Sequence, residues 1–148
     1  MKKILMFLLM VSCYSICDAQ TPVKWSYSAK KIEDKKYEVT ITATVQSPWH
    51  IYSQFTPEGG PLPTSFSFNK NPLVELDGKV KELGKIIKKY EDVFEVDVKY
   101  FDGSVQFIQK LKLKAKVKTN LTGSLEYMAC NDEQCLPPAT VNFSIAIQ

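Results

Sequence analysis

The sequence predicts an all-β protein, an antiparallel β-sandwich in one exported domain, and three observations carry that expectation. Apolar and polar residues alternate with period two over long stretches. Turn-forming residues interrupt these stretches roughly every ten residues, the spacing of a sandwich. The 148 residues are 45% hydrophobic, enough to bury a core in one domain and too apolar for a disordered chain.

Taken in order, Lys24–Ala29 reads as a first strand. Tyr37, Val39, Ile41, Ala43 and Val45 then alternate with Lys36, Glu38, Thr40, Thr42 and Thr44, which gives one buried and one wet face. Trp49–Gln54, Thr64–Phe68 and Leu73–Leu76 read as shorter strands. Val80–Lys89 admits a short helix, although Gly84 and the β-branched Ile86 and Ile87 weaken it. Phe94–Tyr100 is the next strand, and Asp102-Gly103 signals a hairpin into a second alternating run. In that run Val105, Phe107, Leu111, Leu113, Ala115 and Val117 share one face, and Lys110, Lys112, Lys114, Lys116 and Lys118 the other. Such a lysine row can be an anionic-surface patch, but alternation alone produces it, and a solvated strand face is the preferred reading. Ser124–Ala129 and Val141–Ile147 complete the set. Ser47-Pro48, Glu58-Gly59-Gly60-Pro61, Asp77-Gly78 and Leu136-Pro137-Pro138 are the remaining breakers. Trp25, Trp49, Phe66 and Phe68 read as core.

The first 19 residues read as a signal peptide. Lys2 and Lys3 precede an apolar run from Ile4 to Val11, too short to span a bilayer, and Cys17 and Ala19 suit the positions before a cleavage site. A retained anchor is the alternative; acylation at Cys13 or Cys17 is disfavoured by the very short leader and by bulky Ile16. Residues 20–148 then form the single mature domain. Removing Lys2, Lys3 and Asp18 takes the net charge from +3 to +2, and Cys130 and Cys135 are left as the two cysteines of an oxidising compartment.

Composition excludes several functions. All 19 basic residues are lysine, so the bidentate arginine fork that favours phosphate and guanine recognition is missing, and no nucleic-acid partner is expected. His50 is the one histidine, which excludes most zinc hydrolase sites. Met128, Cys130, Cys135 and His50 could together suit a soft metal, but two close cysteines in an oxidising compartment are more often a disulfide, and no metal or cofactor is expected.

The most informative stretch is Tyr127-Met128-Ala129-Cys130-Asn131-Asp132-Glu133-Gln134-Cys135-Leu136-Pro137-Pro138. A bridge across so small a loop removes only about 2 kcal/mol of unfolded-chain entropy, whereas a sandwich-stabilising bridge joins distant strands. Sulfurs on a tight surface loop are open to a partner thiolate. From the residues alone, a structural bridge and a redox pair both stay open. Asp132 and Glu133 beside the sulfurs would raise thiol pKa values.

That stretch, with Trp49-His50-Ile51-Tyr52-Ser53-Gln54 and Gly59-Gly60-Pro61-Leu62-Pro63-Thr64, resembles the N-terminal periplasmic domain of the thiol:disulfide interchange protein DsbD over essentially all of the mature chain. The resemblance implies an immunoglobulin-like fold. It also implies a role as a protein-disulfide reductase component, relaying electrons from a membrane electron-transfer partner to thioredoxin-fold proteins, in a setting that includes cytochrome c biogenesis. Cys130 and Cys135 would be the redox pair, Cys135 forming the mixed disulfide and Cys130 resolving it. A cap loop would lie at Tyr90-Glu91-Asp92-Val93-Phe94, with Phe94 as the shield, and His50 and Tyr52 would be aromatic neighbours. The cysteine spacing is one residue tighter than in the best-known members, and no membrane or thioredoxin-like domain follows before Gln148, so a separate polypeptide is expected to supply electrons. The competing reading is a non-catalytic secreted β-sandwich binding module with a structural Cys130–Cys135 bridge.

Overall fold

The computed structural model describes residues 21–92 and 94–148, which form eleven strands. The expected signal peptide, its cleavage site, Cys13 and Cys17 lie outside the described residues.

One layer is a four-stranded antiparallel sheet in the order β1 (Val23–Glu33), β2 (Lys36–Val45), β8 (Ser104–Leu113), β5 (Val74–Gly84). The alternation seen in the sequence does the folding work here. Val39, Ile41, Ala43, Val105, Phe107 and Leu111 all point inward and are buried. On the outer face Lys30, Glu38, Lys110 and Asp77 stand in one cross-strand row of alternating charge. A three-stranded sheet, β11 (Ala139–Ile147), β9 (Thr119–Tyr127), β4 (Ser65–Phe68), packs against it. Aromatic pairs join the two layers: Trp25 with Tyr127 at 5.2 Å and Phe66 with Phe107 at 4.9 Å. Phe107 is fully buried at the centre, and cutting such a side chain to alanine costs about 3–5 kcal/mol. Gly123 of β9 lies under Ser67 of β4, and a Cβ there would collide with the Ser67 carbonyl oxygen and sit 2.7 Å from Phe143 Cζ.

A small third sheet runs in the order β10 (Ala129–Cys130), β3 (His50–Tyr52), β7 (Val96–Phe101), β6 (Ile87–Glu91). This sheet carries the cysteine region. It is held to the sandwich by Ile51 and Phe101, both in the main core, and by Glu82 of β5. The Glu82 carboxylate accepts from Ser53 Oγ and from the Gln54 N–H, each at 2.7 Å. Thr64 Oγ1 donates to the Tyr52 carbonyl at 2.6 Å. The loop after β3 is therefore tied at both ends. The whole is the expected immunoglobulin-like antiparallel sandwich.

Four local expectations are corrected. Val80–Lys89 is strand, split between β5 and β6, because β8 supplies partners for Lys81 to Gly84 and β7 for Ile87 to Glu91. Asp77-Gly78 does not end a strand but forms a bulge inside β5, where the left-handed Gly78 (φ 74°) and the buried Gln109 side chain, donating to the Asp77 and Gly78 carbonyls, accommodate the extra residues. Asp102-Gly103 is a tight turn but not a hairpin: β7 pairs with β3 and β6, β8 with β2 and β5, so the turn switches sheets. The lysine run leaves the sheet after Leu113, so Lys114, Lys116 and Lys118 are not on a strand face.

Candidate redox site

Cys130 and Cys135 form a disulfide across a miniature hairpin. The Asn131 N–H donates to the Gln134 carbonyl and the Leu136 N–H to the Ala129 carbonyl, both at 2.9 Å, so the cysteines face each other between two backbone bonds. Asn131 Oδ1 accepts from the N–H groups of Glu133 and Gln134 at 2.9 and 2.8 Å and closes the turn from within. One arm of this hairpin is β10, paired with β3 so that Cys130 stands opposite His50. The other arm is free. The consequence is an asymmetric bridge: Cys130 is 1% exposed, packed with Tyr52 and Val98, whereas Cys135 is exposed.

The bridge lines a cleft of about 410 Å³ shared with His50, Tyr52, Lys89, Glu91 and Phe94. His50 and Tyr52 project to the same side of β3, as residues two apart must. His50 Nε2 lies 3.2 Å from the Tyr52 hydroxyl, and its ring packs at a tilt of 38° against Tyr100, with centroids 4.4 Å apart. Burial pushes the His50 imidazole below its ordinary pKa, with Glu91 pulling the other way. Burial pushes the Tyr52 phenol up to about 12. Both rings are therefore neutral at pH 7. Lys89 Nζ pairs with Glu91 Oε1 at 3.2 Å, a contact that raises the lysine pKa.

Of the residues singled out in the sequence, Cys130, Cys135, His50, Tyr52 and Phe94 meet in this cleft, whereas Asp92 is exposed in the β6–β7 turn and is not part of its lining. Phe94 lies in that turn, two residues before β7 begins, and is 36% exposed. Its strand parity with Val96 is broken by Glu95, which adopts a left-handed conformation (φ 56°). Glu91, expected in the cap loop, is the last residue of β6 and lines the cleft, whereas Lys89 and Tyr100 escaped sequence reasoning. The Asx turn at Asn131 was open to it, since asparagine opening a four-residue polar loop is the usual signal. Met128 packs behind Cys130 and is not part of the cleft lining.

A family model described as the N-terminal domain of the thiol:disulfide interchange protein DsbD matches residues 19–146. The chain belongs to this family. No curated protein sequence matches it. Among solved structures, the reduced DsbD N-terminal domain of Neisseria meningitidis is similar at a TM-score of 0.53 and 15% identity, over 82% of this chain and 84% of that one. The N-terminal periplasmic domain of ScsB from Proteus mirabilis aligns at 0.53 and 14% identity over 84% of this chain, but this chain spans only 44% of that one. A complex between the DsbD N-terminal and PilB N-terminal domains of Neisseria meningitidis aligns at 0.53 and 11% identity, over 88% of this chain and 87% of that one. At these identities the structural likeness speaks for the fold, and the family match for the kind of module.

Proposed function

We propose that this chain is an exported, periplasmic domain that relays electrons between thioredoxin-fold partners by thiol–disulfide exchange at Cys130 and Cys135. The observation that carries the reading is the unequal exposure of the two sulfurs in one cleft. A partner thiolate attacks Sγ of the exposed Cys135 in line with the S–S bond. That bond breaks, a bond to the partner sulfur forms, and Cys130 leaves with the electron pair. A second partner thiolate then attacks the partner's own bridged sulfur and frees Cys135. Two electrons pass to this chain and the partner keeps a disulfide. The reverse sequence delivers them to an acceptor. Cys130 leaves into a buried setting beside neutral Tyr52, which disfavours a lasting thiolate and favours its protonation.

Family membership supports this reading, as does the existence of a complex between a DsbD N-terminal domain and another domain. The periplasmic setting is supported by the ScsB relative and by the apolar, lysine-headed N-terminus. The binding-module alternative needs the bridge to hold the hairpin. Backbone and Asn131 bonds already close it. A trap distinguishes the two. Cys130→Ala should hold partners as reductant-sensitive mixed disulfides through Cys135, and Cys135→Ala should hold none. Equal capture, or none by either variant, would refute the assigned roles.

A further inference from the structure

The lysines are not spread evenly. Residues 30–36 and 112–118 carry Lys30, Lys31, Lys35, Lys36, Lys112, Lys114, Lys116 and Lys118 against Glu33 and Asp34, and with Glu38 and Glu75, which stand opposite Lys30 and Lys112 across the sheet, the net is +4 in a domain whose total over residues 21–148 is +2. The fold gathers these two segments at one end. Leu113 donates its N–H to the Lys35 carbonyl at 2.7 Å, and Lys116 Nζ reaches Asp34 at 3.3 Å. Glu33 is occupied by Lys36 at 2.7 Å, and Asp34 is shared by Lys31 and Lys116. The two carboxylates are thereby engaged within the patch. Two aliphatic side chains stand out among the charges: Ile32 and Val117, 41% and 43% exposed. Val117 stands between Lys116 and Lys118, and Ile32 between Lys31 and Glu33.

We propose that this end of the sandwich docks on an anionic phospholipid bilayer, the lysines meeting lipid phosphates and Ile32 and Val117 entering the headgroup boundary. Charge complementarity selects an anionic partner. The exposed aliphatic residues among the lysines favour a bilayer over a soluble polyanion, because only a bilayer offers apolar depth beneath the charge. The geometry gives the docking a consequence. β9 begins beside Lys118 and ends at Tyr127, three residues before Cys130, so its length of about 27 Å separates the two ends. A domain lying on its basic end presents the disulfide cleft away from the membrane, toward soluble partners.

The test is cosedimentation of the protein recovered in soluble form from cells, with vesicles of mixed phosphatidylglycerol and phosphatidylcholine and with vesicles of phosphatidylcholine alone. Binding is expected to the anionic vesicles only and to fade with salt. Each lysine at an anionic surface is worth roughly a fivefold change in partition, so Lys114→Gln/Lys116→Gln/Lys118→Gln should weaken binding about a hundredfold. The matching triple arginine variant should retain it. Ile32→Ser/Val117→Ser should weaken it several-fold, and no variant should alter the rate of disulfide reduction by dithiothreitol. Equal binding to neutral vesicles would place attachment in the apolar N-terminal run and overturn the proposal. Loss of binding in the arginine variant, or full binding in the glutamine variant, would overturn it as well. So would heparin binding as tight as vesicle binding together with an indifferent serine variant, since that pattern marks a soluble polyanion. None of these outcomes bears on the cysteine trap, so the two readings fail separately.

Discussion

Reducing the Cys130–Cys135 bridge should cost the fold about 2 kcal/mol, the entropy that closing so short a loop removes from the unfolded chain. The bridged residues are five apart in sequence, so little chain is constrained. The folded hairpin keeps its backbone bonds at Asn131 and Leu136 and its Asn131 side-chain bonds when the sulfurs separate. Linkage turns this figure into a redox statement. Whatever the bridge adds to the fold, the fold adds to the bridge. With about 30 mV for each 1.4 kcal/mol, the folded protein should have a reduction potential only about 45 mV below that of its own unfolded chain. The potential should also lie well above about −300 mV, the region of structural bridges. Urea melts with and without reductant give the first quantity. Redox titrations of native and urea-unfolded protein give the second, and the two must agree. If reduction unfolds the domain, or the gap is more than about twice the expected one, the bridge is a structural staple and the loop-entropy reasoning fails.

Three further outcomes follow from the same geometry. Phe94→Ala should speed reduction by glutathione and cost less than about 2 kcal/mol, because the side chain is only partly buried, in a turn over the cleft; a large stability loss with an unchanged rate would make Phe94 ordinary core. His50 has a folded pKa below its unfolded value, so the unfolded state takes up its proton first. Stability should therefore fall as pH drops below about 6.5, the unfolded imidazole pKa, and His50→Gln should flatten that slope in urea melts; an unchanged slope would assign it to other groups. Gly123→Ala should destabilise by several kcal/mol or abolish folding, since its Cβ collides with the Ser67 carbonyl across the β4–β9 pair; a near-neutral melt would mean that this strand pair can open.

The fold was legible where one sheet face is wet and the other buried. β2 and most of β8 came straight from alternation, with every buried position from Tyr37 to Val45 in phase. Legibility failed where local chemistry was right but its tertiary use was not local. Asp102-Gly103 bends the chain as its residues favour, with Gly103 at φ 99°, yet β7 pairs with β3 and β6 and β8 with β2 and β5, so partners far along the chain set which sheet each flanking strand joins. Asp77-Gly78 signals a turn, and β8 overrules it by pairing on both sides of the bulge, with Gln109 bonding the displaced carbonyls. Gln109 itself is buried at an apolar-parity position, and only the bulge explains it.

The site was half legible for a related reason. The cysteine hairpin is local, so its residues and its polar turn could be read from twelve consecutive positions. The other wall of the cleft is not local. Lys89 and Glu91 belong to β6, whose strand character depends on pairing with β7; read locally, Lys89 ends a segment that also admits a helix and Glu91 falls in the expected cap loop. Most of all, the inequality of the two sulfurs could not come from sequence. Both cysteines sit in the same polar run, and nothing in Ala129-Cys130 or Gln134-Cys135 ranks one as buried. The ranking arises because β3 pairs with the first arm of the hairpin and leaves the second free, which sets Cys130 against His50 and lifts Cys135 to the lip. The unequal exposure of the two cysteines thus rests on two residue pairs, Ala129 with Ile51 and Cys130 with His50. The Thr64 and Glu82 bonds that fasten the chain at and just after Tyr52 hold β3 in place for that pairing.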